Sequence, residues 1–182
     1  MPAAEAPPWR ERIEQALMAG ADVPASRYLQ LATLGLDGAP RNRTVVFRGF
    51  GPAHALLLLT HRASGKCAEL AHLPRAELAW YLPCTREQFR LAVTAQCHGA
   101  DAPGEWQQLR RQLWRARGAA GQAEWLSLRP AQALTEPVDD FVLVGCQVHA
   151  VDHLELACDP HRQQAWAWRD GRWHCTALRG SR

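Results

Sequence analysis

Three short polar stretches carry the residue types on which chemistry can be built: Arg43 to Arg48 (RTVVFR), Thr60 to Lys66 (THRASGK) and Thr85 to Arg90 (TREQFR). Each is embedded in strand-like apolar sequence. Side chains alternate along a strand, so Arg43 and Arg48, five positions apart, face opposite sides and do different jobs. One can grip a phosphate while the other meets a ring or a neighbouring subunit; a pair of solvated strand-end arginines is the plainer alternative. In the second stretch, Ser64, Gly65 and Lys66 open a helix. A helix N-terminus presents unpaired N–H groups and partial positive charge, which suits a phosphate. Ser64 adds a hydroxyl, Lys66 a full charge, and Gly65 lets the backbone approach closely. The Walker spacing is absent, and Ser64 would serve as an N-cap with or without a ligand. In the third stretch Arg86, Gln88 and Arg90 share one strand face, while Glu87, Phe89 and Leu91 share the other. A glutamine both donates and accepts, which fits the edge of a flavin-like ring; a solvated exterior with rim arginines is the competing reading.

The elements that must position these residues follow from periodicity and turn chemistry. Trp9 to Ala19 is a helix with Trp9, Ile13, Ala16 and Leu17 on its apolar face, preceded by Pro8 and ended by Gly20. Tyr28 to Leu34 and Arg41 to Phe50 are strands joined at an Asp37-Gly38 turn. His54 to Thr60 is a third strand, apolar on both faces and therefore central or barrel-lining. A helix from Ser64 to His72, strands at Ala76 to Leu82 and Glu87 to Cys97, and a helix from Glu105 to Arg117 come next. In that last helix Trp106, Leu109, Leu113 and Trp114 form one face, with Arg110, Arg111, Arg115 and Arg117 around the rest. Residues 118–136 read as loop. Val138 to Val148 is a strand, His149 to Leu156 another or its continuation, and Gln163 to Leu178 a hairpin turning at Asp170-Gly171. Strands joined in sequence predict an antiparallel barrel or sandwich, mostly β with flanking helices at the N-terminus, after strand 3 and after strand 5. One domain is expected over 1–182, with 1–8 and 179–182 loose.

Composition narrows the partners. A net charge of +3 is too mild for a nucleic-acid binder and compatible with an anionic small molecule. The longest apolar run, Ala55 to Leu59, is strand-sized, so no membrane span is expected. The N-terminus lacks a basic segment followed by an apolar one, which argues against a signal peptide. The six cysteines contain no CxxC pair, so reduced thiols in the cytoplasm are expected, without disulfides or a metal site. His149 and His153, four apart in strand-like sequence, make no helical metal pair. Trp166, Trp168 and Trp173 can stack on a ring or pack in a core. His61 can approach a phosphate or, in a haem-binding chain, an iron; otherwise it is a surface histidine.

The three motifs in this order, together with the segments SRYLQLATLGLDGAPRNRTVVFRGF, LLLLTHRASGKCAEL, AELAWYLPCTREQFRLA and DDFVLVGCQVHAVDHLEL, resemble the short branch of the pyridoxamine 5′-phosphate oxidase-like, FMN-binding split-barrel family. The resemblance runs from about Trp9 to Leu178. It implies a split β-barrel, a homodimer with FMN at the subunit interface, and an oxidoreductase acting on a small anionic substrate; a non-catalytic flavin- or haem-binding barrel is the alternative. It places Arg43, Thr44, Val45, Val46 and Arg48 on the strand that contacts FMN, with Arg48 near ring and substrate. It assigns Leu59 and Thr60 to the ribityl chain and phosphate, Ser64 and Lys66 to the phosphate, and Gln88 to the flavin. The chain departs from the family pattern at Ala63 and Gly65, where relatives commonly carry a further arginine. Near the C-terminus only Arg172 and His174 have the Arg-x-His spacing of the oxidases' substrate clamp. No catalytic acid or base stands out.

Overall fold

The computed structural model describes residues 6–126 and 134–180. Its first helix, α1 (Pro8–Ala19), starts on Pro8, whose missing N–H costs nothing at that position. Trp9, Ile13 and Ala16 are buried on the inner face of α1, and Pro7, expected in a loose segment, is the buried residue at its N-cap. Strand β1 (Tyr28–Leu34) alternates strictly between exposed and buried positions, as a half-buried strand must. It pairs antiparallel with β2 (Pro40–Val46). The connecting turn uses Gly38 at φ 78° and the Asp37 carboxylate, which accepts the Ala39 N–H at 3.1 Å.

β2 ends at Val46, four residues short of the expected Phe50. Beyond it the chain changes partners. The Arg48 N–H donates to Leu57 O at 2.8 Å, the Leu57 N–H donates to Gly49 O at 2.9 Å, and Phe50 bridges to Leu56. Gly49, at φ 131°, permits the bend. Residues 48–50 thus carry the sheet from β1 across to β3 (Leu56–His61) and close the barrel. β3 begins two residues later than expected because Pro52–His54 forms a tight 3-10 turn in which Ala53 and His54 have positive φ.

After β3 come α2 (Gly65–His72), β4 (Arg75–Leu82) and β5 (Glu87–His98). The helix α3 (Gly104–Ala116) follows, then a short α4 (Gly118–Gln122). β6 (Phe141–Glu155) is one continuous strand of 15 residues, and β7 (Arg162–Arg169) and β8 (Arg172–Gly180) form the terminal hairpin. Arg179 and Gly180, expected in a loose tail, pair with Gln163 and Arg162. All pairings are antiparallel, in the order β2-β1-β4-β5-β6-β7-β8, with β3 on β6 as well. β6 is long enough to serve two neighbours on one edge: residues 141–146 bond β3 and residues 150–155 bond β7, while β5 runs along the other edge. That division is what splits the barrel. Trp80 anchors its core, fully buried against Phe47 at 4.8 Å with its indole N–H on Ser26 O at 2.8 Å.

Two features of α3 and α4 differ from the sequence-based expectation. Arg110, expected on a solvated face, is 2% exposed and donates to Phe141 O and Val138 O at 2.7 and 2.5 Å, tying down the start of β6. Residues 118–122, expected as loop, are helical because the buried Gln122 side chain bonds Trp114 O, Leu134 O and the Leu134 N–H. Trp106 of α3 stacks on His98 at 3.9 Å and lies across Gly145 of β6, where an added Cβ would meet its ring at 2.5 Å. Gly145→Ala therefore costs about 1–3 kcal/mol through overpacking, expected as a lower melting temperature with altered tryptophan fluorescence. An unchanged melt would show that Trp106 moves aside freely.

Candidate functional site

The tip of α2 meets the end of β3. Ser64 occupies the N-cap position of α2, but its side chain makes no capping bond. It accepts instead from the Lys66 ammonium at 2.6 Å, and Thr60, the buried penultimate residue of β3, accepts from the same nitrogen at 2.9 Å. Among the described residues no carboxylate lies within ion-pair distance of Lys66. Burial lowers the Lys66 pKa below its ordinary 10.5, and repulsion from the nearby Arg43 guanidinium adds to the shift. A half-buried ammonium held by two hydroxyls beside a helix N-terminus is a cradle for an anion.

Arg43 sits beside this cradle and is already engaged. Its guanidinium bonds Glu69 of α2 at 2.5 Å, Thr33 of β1 at 2.5 Å and Leu31 O at 3.4 Å. Thr33 also donates to Glu69 at 2.6 Å. Burial disfavours the Glu69 carboxylate, but the bonds from Thr33 and Arg43 outweigh it and hold its pKa below the ordinary value. Sequence inspection missed Glu69 and Thr33. Both sit on elements that become neighbours of Arg43 only in the folded sheet, and no local signal marks them.

Arg48 faces the other way, as alternation requires. With Leu59, Leu113 and Arg117 it lines a cavity of about 280 Å³ between β3 and the α3–α4 segment. Burial lowers the Arg48 pKa and the Arg117 charge lowers it further, so two cations share one recess. Arg117 was read from the sequence as part of a solvated face; its side chain is largely covered and pairs with Glu124. Leu59 and Thr60 lie on opposite sides of β3. Leu57 exchanges both backbone bonds with Arg48 and Gly49, and beyond it no described strand pairs with that edge of β3. Leu59, on that edge, lines the Arg48 cavity, and its chain neighbour Thr60 accepts from Lys66. Thr44 is exposed, Val45 is buried with the core, and Val46 is half-buried on the Arg48 side of β2.

Gln88 is not brought to this group within one chain. It pairs with Tyr81 and Leu154, ten positions along β5 from His98, which lies level with Leu59 through their common partner Leu143. At about 3.3 Å per residue that is about 30 Å. Arg172 and His174 lie on the edge strand β8 and bond each other at 3.2 Å, far along the sheet from β3. Trp173 between them turns inward onto Trp9 at 5.6 Å, and Trp166 is a core residue. His61 stacks on Trp125 at 3.9 Å and its Nδ1 pairs with Asp140 at 2.5 Å. The His61 hydrogen bond is the leading reason that the Asp140 pKa lies below its ordinary value. At the opposite end of the barrel, Glu87, His153 and Glu155 present ligand-type atoms within 4.8 Å of one another. There Arg12 pairs with Glu155 at 2.7 Å and His153 hydrogen-bonds Glu87 at 2.9 Å, while burial lowers the His153 pKa below its ordinary value.

The sequence profile of the family described as pyridoxamine 5′-phosphate oxidase, FMN-binding domain, matches residues 6–99. The chain is 32% identical over 165 residues to pyridoxine/pyridoxamine 5′-phosphate oxidase 2 of Arabidopsis thaliana, covering 82% of this chain and 83% of the relative. A crystal structure of a pyridoxamine 5′-phosphate oxidase-related, FMN binding protein from Nostoc punctiforme superposes with a TM-score of 0.88 at 32% identity, covering 96% of this chain and 99% of that one. PhzG from Burkholderia lata, solved with tetrahydrophenazine-1-carboxylic acid, shares the fold with a TM-score of 0.72 at 20% identity, over 95% and 93% of the two chains.

Proposed function

The chain belongs to the pyridoxamine 5′-phosphate oxidase family of FMN-binding split barrels, and from that membership we propose that it is an FMN-dependent oxidoreductase acting on a small anionic substrate as a cytoplasmic homodimer. The observation that carries the proposal is the Lys66 ammonium, half-buried and, among the described residues, hydrogen-bonded to the hydroxyls of Thr60 and Ser64. A phosphate dianion satisfies that cation and the free N–H groups of the α2 tip together, so the residues present fit the cofactor.

When bound, FMN supplies the two-electron chemistry; the protein supplies binding and orientation. Lys66, Ser64 and Thr60 hold the phosphate, with Arg43 flanking them. The open edge of β3 at Leu59 lets the ligand pass from the cradle to the cavity of Arg48. There Arg48 and Arg117 give a positive recess for an anionic substrate, walled by Leu59 and Leu113. Gln88 is about 30 Å along the sheet from the cradle of its own chain, longer than a mononucleotide, so it serves the flavin of a second copy. That distance is the physical argument for a dimer with the cofactor between protomers. The six cysteines are all free, which fits a reducing compartment, and no described helix is long and apolar enough to cross a membrane.

The Arg43–Glu69 pair favours one second reading, a flavin-binding barrel without turnover, because a carboxylate already occupies one of the cations expected at the phosphate. The test is to load the purified protein with FMN and add, without oxygen, NADPH or pyridoxamine 5′-phosphate. Bleaching of the visible flavin absorption is expected with one of them; retained, unbleached flavin with both would establish the store. Arg48→Ala is expected to keep flavin while weakening substrate by about tenfold, read as a raised KM with kcat nearly unchanged, the loss typical of one hydrogen bond to a charged group.

A further inference from the structure

We propose that Glu87, His153 and Glu155 form a binding site for one divalent metal ion of the zinc type, with water as its fourth ligand. Strands β5 and β6 build it. In their antiparallel register Glu87 stands opposite Glu155, and Phe89 opposite His153. His153 and Glu155 are two apart on β6, so alternation sends both side chains to the face that Glu87 also meets. An imidazole nitrogen and two carboxylate oxygens thereby lie within 4.8 Å of one another. Tetrahedral zinc, with bonds of about 2.0–2.2 Å, holds its ligand atoms about 3.4 Å apart. His153 Nε2 and Glu87 Oε1 stand at 2.9 Å, so the ion takes the place of the hydrogen they share.

This is no patch of surface acids. The His153 side chain is 1% exposed, and Glu87 and Glu155 are largely covered. The imidazole stacks on Phe89 at 4.4 Å and lies 24° from the plane of Trp166 at 5.9 Å, which fixes the direction of Nε2. Among the described residues no lysine or arginine lies within ion-pair distance of Glu87; its partner is the His153 ring. A carboxylate so far out of water is satisfied by a cation or a metal. Glu155 has competitors: Arg12 at 2.7 Å, and the exposed Arg162 at 3.9 Å. The Cys158 thiol donates to Glu155 at 3.5 Å but stands outside the group of three mutually close ligand atoms.

The mixed nitrogen and oxygen set favours zinc over magnesium or calcium, which take oxygen ligands. Its pattern is not local, since Glu87 and His153 are 66 positions apart. A bound ion ties β5 to β6 at the end of the barrel away from Lys66.

The experiment needs no flavin, so its outcome is independent of the flavin reading. The purified full chain is stripped with EDTA and dialysed against Zn²⁺, and its metal content and melting temperature are measured. One zinc per chain and a raised melting temperature are expected; Mg²⁺ at the same concentration is expected to give neither. Co²⁺ in place of zinc reports the ligands: visible bands of a tetrahedral site are expected, without the thiolate charge-transfer band that the free cysteines would give. Glu87→Gln keeps the size of the side chain, and Glu155→Gln tests the other strand. Each is expected to bind zinc more than about a hundredfold more weakly, with circular dichroism of the metal-free form unchanged. Arg12→Gln releases Glu155 and is expected to bind about tenfold more tightly. No zinc retained by the wild type, wild-type affinity in Glu87→Gln, a thiolate band with cobalt, or unchanged or weaker affinity in Arg12→Gln would overturn the site.

Discussion

Lys66→Ala lowers FMN affinity by about a hundredfold and leaves the barrel folded. Among the described residues the side chain hydrogen-bonds the hydroxyls of Thr60 and Ser64, and both keep other neighbours or solvent when it is gone. What is lost is one charged hydrogen-bonding partner of a phosphate, about 1.5–3 kcal/mol, which is about one to two decades in dissociation constant. Equilibrium titration of flavin fluorescence reads the affinity and circular dichroism reads the fold. Wild-type affinity in the variant would remove the phosphate from this cradle. Lys66→Arg tests the geometry separately: it keeps the charge but brings a larger planar donor to a site shaped for an ammonium, and partial recovery is expected.

Arg43→Ala behaves differently, and the reason lies in Glu69. The side chains of the pair are 23% and 12% exposed, so deleting the guanidinium leaves a mostly buried carboxylate with Thr33 as its remaining donor. Breaking a buried pair from one side costs about 3 kcal/mol, which lowers the melting temperature by about 6–12 °C in a domain of this size. Flavin loss in this variant therefore mixes binding with stability. Arg43→Met combined with Glu69→Met removes both charges and is expected to melt near the wild type, while binding flavin more weakly. A wild-type melting curve for Arg43→Ala alone would show that the pair contributes nothing to the fold. The same pair gives a pH dependence. The Glu69 pKa is depressed in the folded chain, so its contribution is complete above its ordinary value of 4.5 and is lost as pH falls below that value through the folded one. Glu69→Gln is expected to flatten that part of the stability curve.

Both predictions turn on contacts of very different sequence range. Ser64 and Lys66 are two apart and Thr60 is six residues from Lys66, so the cradle could be read from one strand-end and one helix start. Arg43 and Glu69 are 26 apart, and nothing in the spacing of RTVVFR or THRASGK indicates that a carboxylate on α2 engages Arg43. The alternation of β1, the Asp37-Gly38 turn and the apolar face of α1 were legible for the same local reason. The late start of β3 came from the local Pro52–His54 turn; the other departures needed partners further along the chain: the partner change at Gly49, the burial of Arg110 under the start of β6, and the ordering of residues 118–122 by Gln122.

The chain's own order of residues determined its elements, its all-antiparallel character and the chemical type of its ligand, because hydrophobic period, turn residues and helix starts act over a few positions. Tertiary structure decided which cations are free and which are spoken for. A charge's partner depends on which strands and helices come to lie side by side. For this barrel that is set by the long strand β6, which bonds β3 with one half and β7 with the other, and it leaves Lys66 with hydroxyl partners, Arg43 in an ion pair and Gln88 about ten strand positions away along β5.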